Sequence, residues 1–532
     1  MTRVSTRCAV PLAVFLLTFL FFAFLNERAA WVWDDYAQVV HNPHLSSPGS
    51  VPGFFTGSFQ KSIASTTFGA DIYRPFCLLS LYLDYQFFGA RAWGFHLHND
   101  LLHALNVLLL YLLAVRFLPT WAAVFASALF AVHPIGVEAI TWISARPDLL
   151  VMLYTLLHLY AAVRLFESAR TTPSKLWWLL YGISIPLGLY SKETFVTIPL
   201  FTLLAIGLTA RGETTVRRRL WVCATIAVVV LLPGLAWRHH IVGHTVPPFD
   251  PVIFKNALTL SRRFLELLIF PDRSSFLRMY EHVRFVVSRD LFPLLLHALG
   301  WLLAIVATWR QRPALLATNL ILGSLLPVVL ILDMSTFIGE RYFYIPLGGL
   351  SLWISAVAAS LLSTSRIPLS TFTRRFLKGG LVVWIILLAI QTGVRSGEWR
   401  TEERLYRSVV ERDPSNYWAY YQLSVDSHRQ GDLDGQIRYL RAALETRPDD
   451  LRILNNLAVY QIQRKHFTEA KQLLDRSLRA APTRAKTAFN YGYYFESKGD
   501  FRQALAWYRR ALELDPQYRK AAETLARLKV TP

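Results

Sequence analysis

Cysteine and charge are both scarce in this 532-residue sequence, and each shortage closes off a class of protein. Only Cys8, Cys77 and Cys223 are present, Cys8 and Cys223 lie in or beside apolar stretches, and no pair has zinc-ligand spacing. Neither a disulfide framework nor a zinc site is expected. Charged residues make up 17% of the chain against 53% apolar, with a mean hydropathy of +0.32. That balance excludes an ordinary soluble globular protein and makes a bilayer the natural solvent. Acids are also outnumbered, 36 against 56 Lys and Arg, giving a formal charge of +20. The basic residues sit in short clusters between apolar stretches, so they read as a topology signal and no nucleic-acid partner is expected.

Long apolar runs recur up to about residue 390, and charges are dense from Glu398 onward. Two domains follow, a membrane domain over 1–397 and a polar domain over 398–532. A spanning helix needs about 20 mostly apolar residues. Such runs occur at 8–30, 95–117, 119–138, 147–168, 174–192, 194–210, 219–238, 290–309, 313–332, 342–362 and 377–395, about eleven spans. The first run follows Arg3 and Arg7 in the manner of a secretory signal. Phe24-Leu25-Asn26-Glu27-Arg28 makes a poor cleavage site, so an uncleaved anchor is expected, with Ala29-Ala30 the feature that favours cleavage. The segment 255–270 carries Arg262, Arg263 and Glu266 at its centre. Burial of each charge in hydrocarbon costs roughly 2.5–3.5 kcal/mol, so this segment is expected to lie in the interface or re-enter rather than span.

With the N-terminus in the cytoplasm, alternate connections hold Arg116; Arg164, Arg170 and Lys175; Arg211 with Arg217-Arg218-Arg219; Arg310 and Arg312; and Arg366, Arg374, Arg375 and Lys378. All fall inside by the positive-inside rule. This topology puts a large first loop, 31–94, and the polar domain on the periplasmic side of an inner membrane.

Pro414, Pro448, Pro482 and Pro516 recur every 34 residues, the period of the tetratricopeptide repeat. Gly431, Lys465 and Gly499 keep the step, as do Leu440, Leu474 and Tyr508, and Ala443, Ser477 and Ala511. Full repeats are expected at 414–447, 448–481 and 482–515, with a half-repeat over 398–413 and a capping helix after 516. Stacked helix pairs leave a concave groove suited to a protein partner. Asn416, Tyr420, Asn455, Asn456, Asn490 and Tyr494 lie on or near the first helices that line such a groove. Helix capping and packing are the alternative roles for each.

Polar residues of the membrane half gather at the expected outer turns. Trp33-Asp34-Asp35-Tyr36 follows the first run; Tyr73-Arg74-Pro75 closes the long loop; His133-Pro134, Glu138, Arg146 and Asp148 occupy the second outer turn. Ser191-Lys192-Glu193 marks the third, and Asp333, Glu340-Arg341 and Tyr344 bracket the fifth. A pocket holding carboxylates and cations fits transfer from a lipid phosphate: Arg and Lys take the anionic leaving group while a carboxylate removes a proton from the attacking hydroxyl. The bland alternatives stay open. Asp34-Asp35 can be a solvated cap, Lys192 with Glu193 and Glu340 with Arg341 can be simple interfacial pairs, His133 can satisfy a broken helix end, and His96, His98 and His103 can form a polar stripe rather than a metal site.

Taken in order, Trp31-Val32-Trp33-Asp34-Asp35-Tyr36, Tyr73-Arg74-Pro75, Trp93-Gly94-Phe95-His96 with Asn99 and Leu102-His103-Ala104, Phe130-Ala131-Val132-His133-Pro134, Glu138-Ala139, Arg146-Pro147-Asp148-Leu149-Leu150, Ser191-Lys192-Glu193 and Glu340-Arg341-Tyr342-Phe343-Tyr344-Ile345-Pro346 resemble the transmembrane and tetratricopeptide-repeat-containing O-mannosyltransferases and their bacterial relatives. The resemblance implies an all-α chain: a polytopic helical membrane domain of GT-C type followed by a C-terminal TPR α-solenoid. It implies a polyprenyl-phosphate sugar donor, often mannose, attacked with inversion, and a protein or glycan acceptor. On that basis Asp34 or Asp35 is the base or acceptor-orienting carboxylate. Arg146, Lys192 and Arg341 are candidates for the donor phosphate, and Tyr73, Arg74, His133, Glu138, Asp148, Glu193, Glu340 and Tyr344 support them. No cofactor is implied with certainty, and a divalent metal is left open. The short solenoid, with three clear repeats, departs from longer members and leaves the acceptor open. Two rivals are a membrane-anchored TPR scaffold without catalysis, for which so many spans are more anchor than needed, and a lipid-linked substrate transporter, which would line a mid-bilayer path with charge.

Overall fold

A computed structural model of the chain describes residues 2–57, 73–167, 173–209, 214–242, 262–267, 295, 312–331, 339–363 and 369–530. The chain divides into two compact units, Met1–Thr401 and Glu402–Pro532, and neither contains a strand among the described residues. Unit one extends past residue 397 because Trp399 is fully buried within it, its ring 6.2 Å from that of Trp142.

The first unit consists of α1 (Thr2–Asn26), α2 (Pro75–Phe88), α3 (Ala92–Ala114), α4 (Thr120–Val132), α5 (Val137–Thr141), α6 (Arg146–Phe166), α7 (Lys175–Leu189), α8 (Ile198–Thr209), α9 (Thr214–Val242), α10 (Arg312–Ile331), α11 (Tyr344–Ser363) and α12 (Thr371–Glu398), joined by short helical turns. Six described helical segments are long and apolar enough to cross a membrane: Ala9–Asn26, Ala92–Ala114, Ile143–Phe166, Thr214–Val242, Glu340–Leu362 and Thr371–Glu398. The bent pair Thr120–Val132 with Pro134–Thr141 makes a seventh. Its 49° break follows from Pro134, which has no N–H to donate and forces His133 out of helical geometry, to ψ 129°.

Seven of the eleven expected runs thus meet that test among the described residues. The run at 174–192 is helical only as far as Leu189, since the chain turns at Tyr190–Lys192 to begin a short 3-10 stretch at Glu193. The run at 194–210 yields a shorter apolar helix, Glu193–Gly207, and that at 313–332 the apolar stretch Leu315–Val328 within the 20-residue α10. Apart from Leu295, the run at 290–309 lies outside the described residues, as does most of 255–270, of which 262–267 is helical. The long first loop contains α2, which buries Cys77, Leu78, Leu81 and Asp84 and leaves Leu83 and Phe87 exposed.

Helices α3, α6 and α11 form the centre, with Leu110, Leu113, Met152, Leu156, Leu159 and Leu347 in one apolar core. Gly349 lets α11 close on α10: a Cβ there would meet the Ala317 carbonyl oxygen at 2.6 Å. Helices α1, α9 and α12 leave Leu17, Phe24, Leu232 and Ile390 exposed, as expected of helices whose solvent is lipid.

The second unit is a succession of helices, α13 (Glu402–Arg412), α14 (Tyr417–Arg429), α15 (Leu433–Thr446), α16 (Leu451–Gln463), α17 (Phe467–Ala480), α18 (Ala485–Ser497), α19 (Phe501–Leu514) and α20 (Arg519–Val530), that pack as consecutive pairs. The 34-residue step is written into its core: Leu440, Leu474 and Tyr508 are buried, as are Ala443, Ser477 and Ala511. Each first helix ends in a left-handed residue, Gly431 (φ 75°), Lys465 (φ 61°) and Gly499 (φ 82°). The middle repeat thus places a lysine where its neighbours use glycine.

Candidate active site

The candidate site grows from turns at one end of the first unit. After α1 the chain passes through Trp33, whose φ of 50° is left-handed and whose indole stacks on Trp142 at 5.0 Å. Asp35 is fully buried. Its Oδ1 accepts from the Ser144 backbone N–H at 2.9 Å and the Ser144 hydroxyl at 2.6 Å, and its Oδ2 accepts from the Val32 N–H at 3.1 Å. Asp35 therefore clasps this turn to the turn before α6. Asp34 is only partly buried; among the described residues nothing donates to its carboxylate, and the cation that acts on it is Arg341. Burial pushes Asp34 up to about 6, with Arg341 drawing it back down. Burial pushes Asp35 up to about 7, countered by the Ser144 and Val32 hydrogen bonds and reinforced by the Asp34 charge.

Arg341 is held from below by Glu138, whose Oε1 it meets at 2.5 Å while the Glu340 N–H donates to Oε2 at 2.8 Å. The guanidinium lies over the Trp142 and Tyr342 rings, 4.9 Å from each centroid. The other face of this cluster is Lys192, 5.1 Å from the Tyr342 centroid and paired to Asp148 at 2.5 Å. Next along, Arg74 forks onto Glu193 at 2.7 and 3.2 Å. Segments from across the chain thus bring Asp34, Glu138, Asp148, Lys192, Glu193, Arg74 and Arg341 together. Glu340 turns away toward Arg263 at 3.6 Å and Arg395 at 3.4 Å.

Other expected site residues hold the walls. Arg146, read from sequence as a phosphate ligand, is fully buried and committed to Asp84 at 2.5 Å, the Asn99 side chain at 2.8 Å and the Phe95 carbonyl at 2.9 Å. His133 caps the break between α4 and α5, accepting from the Ile135 N–H at 3.3 Å. Buried Tyr344 hydrogen-bonds His103 at 2.8 Å and accepts from Asn106 at 3.2 Å. Tyr73 donates to the Phe55 carbonyl at 2.7 Å and accepts from the Trp237 indole at 3.1 Å. His96, His98 and His103 diverge, toward the Ala30 carbonyl, Asp84 and Tyr344 respectively. Among the described residues no three His, Cys, Asp or Glu side chains are placed to share a metal ion.

Sequence reasoning passed over Asp84, Ser144, Tyr342 and Arg238. Asp84 could have been flagged as an acid inside an apolar stretch, and Arg238 as a cation ending an apolar run; Ser144 carries no such signal.

In the second unit, Asn416 caps α14 by accepting from the Ala419 N–H at 3.0 Å. Asn455 is fully buried, donating to Ser477 at 2.7 Å and Thr487 at 3.1 Å and accepting from Asn490 at 2.7 Å. Tyr494 packs edge-on against Phe467. Tyr420 is half-buried, and half-buried Asn456 bridges the Tyr421 hydroxyl at 3.3 Å and Lys486 at 3.1 Å.

A family model described as dolichyl-phosphate-mannose-protein mannosyltransferase matches residues 75–237, and tetratricopeptide-repeat models match 427–488 and 485–518. The protein O-mannosyl-transferase TMTC4 of Mus musculus is 25% identical over 483 residues, covering 77% of this chain and 63% of its own. Tmtc2 of Drosophila melanogaster is 33% identical over 190 residues, 35% of this chain and 20% of its own. The apo oligosaccharyltransferase of Archaeoglobus fulgidus is 14% identical in a likeness that covers 78% of this chain and 60% of that one, with a TM-score of 0.44. The chain spans about three fifths of the length of the curated relatives it matches over most of its own sequence. It is similar to the transmembrane and tetratricopeptide-repeat-containing O-mannosyltransferases in both halves.

Proposed function

We propose that this chain is a membrane glycosyltransferase that moves a sugar, with mannose favoured, from a polyprenyl-phosphate donor to a protein hydroxyl or envelope glycan on the periplasmic side of an inner membrane. The observation that carries the proposal is Asp34: a carboxylate pushed up to about 6, without a hydrogen-bond donor among the described residues, beside a cluster of acid–cation pairs. A general base works best when its pKa lies near the working pH and a lone pair is free. Asp35 has the better-satisfied carboxylate and takes the positioning role.

In the proposed step Asp34 accepts the proton of the acceptor hydroxyl, whose oxygen attacks the anomeric carbon from the face opposite the phosphate. The bond from that carbon to the phosphate oxygen breaks, and the configuration inverts. Lys192 and Arg341 lower the charge developing on the departing phosphate. Their own acids, Asp148 and Glu138, keep them oriented. The solenoid recruits the protein acceptor.

The test is transfer from radiolabelled polyprenyl phosphate mannose to extracted envelope proteins. Asp34→Asn is expected to lower transfer by about a hundredfold or more, the range for loss of a general base, with normal insertion. Unchanged transfer would remove the catalytic assignment and leave a membrane-anchored TPR scaffold. Transfer to glycan alone would redirect the acceptor.

A further inference from the structure

We propose that Arg238, together with Arg74, forms the seat for the oxyanion of the lipid phosphate; this rests on the transferase reading and adds to it two guanidiniums that share one carboxylate among the described residues.

The argument starts from charge balance. Arg146 is neutralised by Asp84, Lys192 by Asp148 and Arg341 by Glu138. Glu193 is different: it is shared by two guanidiniums, Arg74 at 2.7 Å and Arg238 at 4.0 Å. Among the described residues, two guanidiniums thus share a single carboxylate at this point. Arg238 is also the less engaged of the two, since Arg74 holds Glu193 with two nitrogens while the Arg238 Nε is buried with no hydrogen-bond partner among the described residues. An unsatisfied buried N–H on a charged group is uncommon and calls for an acceptor. The two arginine side chains are 20% and 27% exposed, so a ligand can reach both. A pair of planar guanidinium forks matches the oxygens of a phosphate group.

The surroundings favour a phosphate carried on a lipid. Arg238 sits near the C-terminal end of α9, and its neighbour Trp237 fastens that end to the site by donating to the Tyr73 hydroxyl at 3.1 Å and the Phe55 carbonyl at 3.2 Å. Along the same helix Val228, Leu232 and Leu235 are exposed at helical spacing, an apolar stripe that leads to Arg238 one turn beyond. A polyprenyl tail can lie along that stripe while its headgroup reaches the arginines.

The experiment uses the full chain in nanodiscs and radiolabelled undecaprenyl phosphate, which needs no turnover. Arg238→Gln is expected to weaken binding about tenfold, and Arg238→Lys to restore part of it. Glu193→Gln, which removes the opposing charge but keeps the shape, is expected to bind as tightly as wild type or tighter. A merely structural role for the triad predicts weaker binding in all three. Inorganic phosphate serves as the second probe: competition at millimolar concentration supports the same seat, with the tail supplying the remaining affinity. Wild-type binding by Arg238→Gln, no lipid binding by the wild-type chain, or weakened binding by Glu193→Gln would overturn the seat. Loss of transfer in Asp34→Asn with unaltered lipid binding by Arg238→Gln would sink this inference and leave the transferase reading standing.

Discussion

The two units bury polar groups in opposite ways. In the solenoid, a buried polar residue meets partners within its own repeat or the next: Asn455 reaches Ser477, Thr487 and Asn490. In the membrane unit the partners are far apart in sequence, Glu138 with Arg341, Arg74 with Glu193, Asp148 with Lys192. Local amides and hydroxyls supply rigidity at modest cost. Long-range ion pairs hold a cluster of charge whose members lose heavily if one is removed, because the partner stays buried and unpaired.

The largest expected effect tests that last point. Arg146→Met should cost about 3–5 kcal/mol of stability, the range for an orphaned buried charge, read as a fall in thermal midpoint in detergent. Adding Asp84→Asn should recover much of it; a double variant as unstable as the single one would show that Arg146 acts by packing rather than charge. Next comes the solenoid's counterpart. Asn455→Ala removes the side-chain hydrogen bonds to Ser477, Thr487 and Asn490 and should cost about 1–3 kcal/mol, measured by denaturant unfolding of the second unit's signal in the whole chain. A loss as large as that of Arg146→Met would erase the contrast between the units.

What could be read beforehand follows the same division. The repeats were legible because Pro414, Pro448, Pro482 and Pro516 and the core positions between them keep one step, and periodic packing is a local property. The outer-turn clusters were legible too, since polar residues near a bilayer need partners. Their pairing was not. Arg146 was a candidate phosphate ligand through the resemblance, and its pairing with Asp84 was hidden because Asp84 lies in the segment expected as the long first loop. The breaks within the apolar runs were not legible because such a run reports composition, whereas the turn at Tyr190–Lys192 and the bend at Pro134 depend on what the chain must reach on either side.

Smaller effects sharpen the comparison. If Asp34 is the base, its ionised form transfers the sugar, and burial has moved its titration up to about 6. Transfer should therefore fall about tenfold for each pH unit below 6, since each unit of protonation is a tenfold loss of carboxylate. Arg341→Gln removes the cation that draws this value down, so the acidic limb of the residual activity should move toward neutral pH. A limb that stays in place would disconnect the two residues. The same shift acts on stability with a definite sign: the folded chain holds the Asp34 proton more tightly than the unfolded one, so this group favours folding most in acid and loses that contribution as pH rises from 3.8 toward 6. Smallest of all, Lys465→Gly should stabilise the solenoid by about 1 kcal/mol by relieving a left-handed lysine. No gain would mean that Lys465 makes up its backbone strain elsewhere.

Trp33 carries the same kind of strain as Lys465, but at the mouth of the candidate site. A bulky aromatic in left-handed backbone is uphill by about 1–3 kcal/mol, and here the stack with Trp142 keeps it there. Selection for a sturdier protein would relax that kink by placing glycine at the position, and in doing so would free the very loop whose fixed direction aims the neighbouring carboxylate. Thermostabilised versions of this chain should therefore be sought away from the kink, for example in the repeats, where robustness and turnover do not compete.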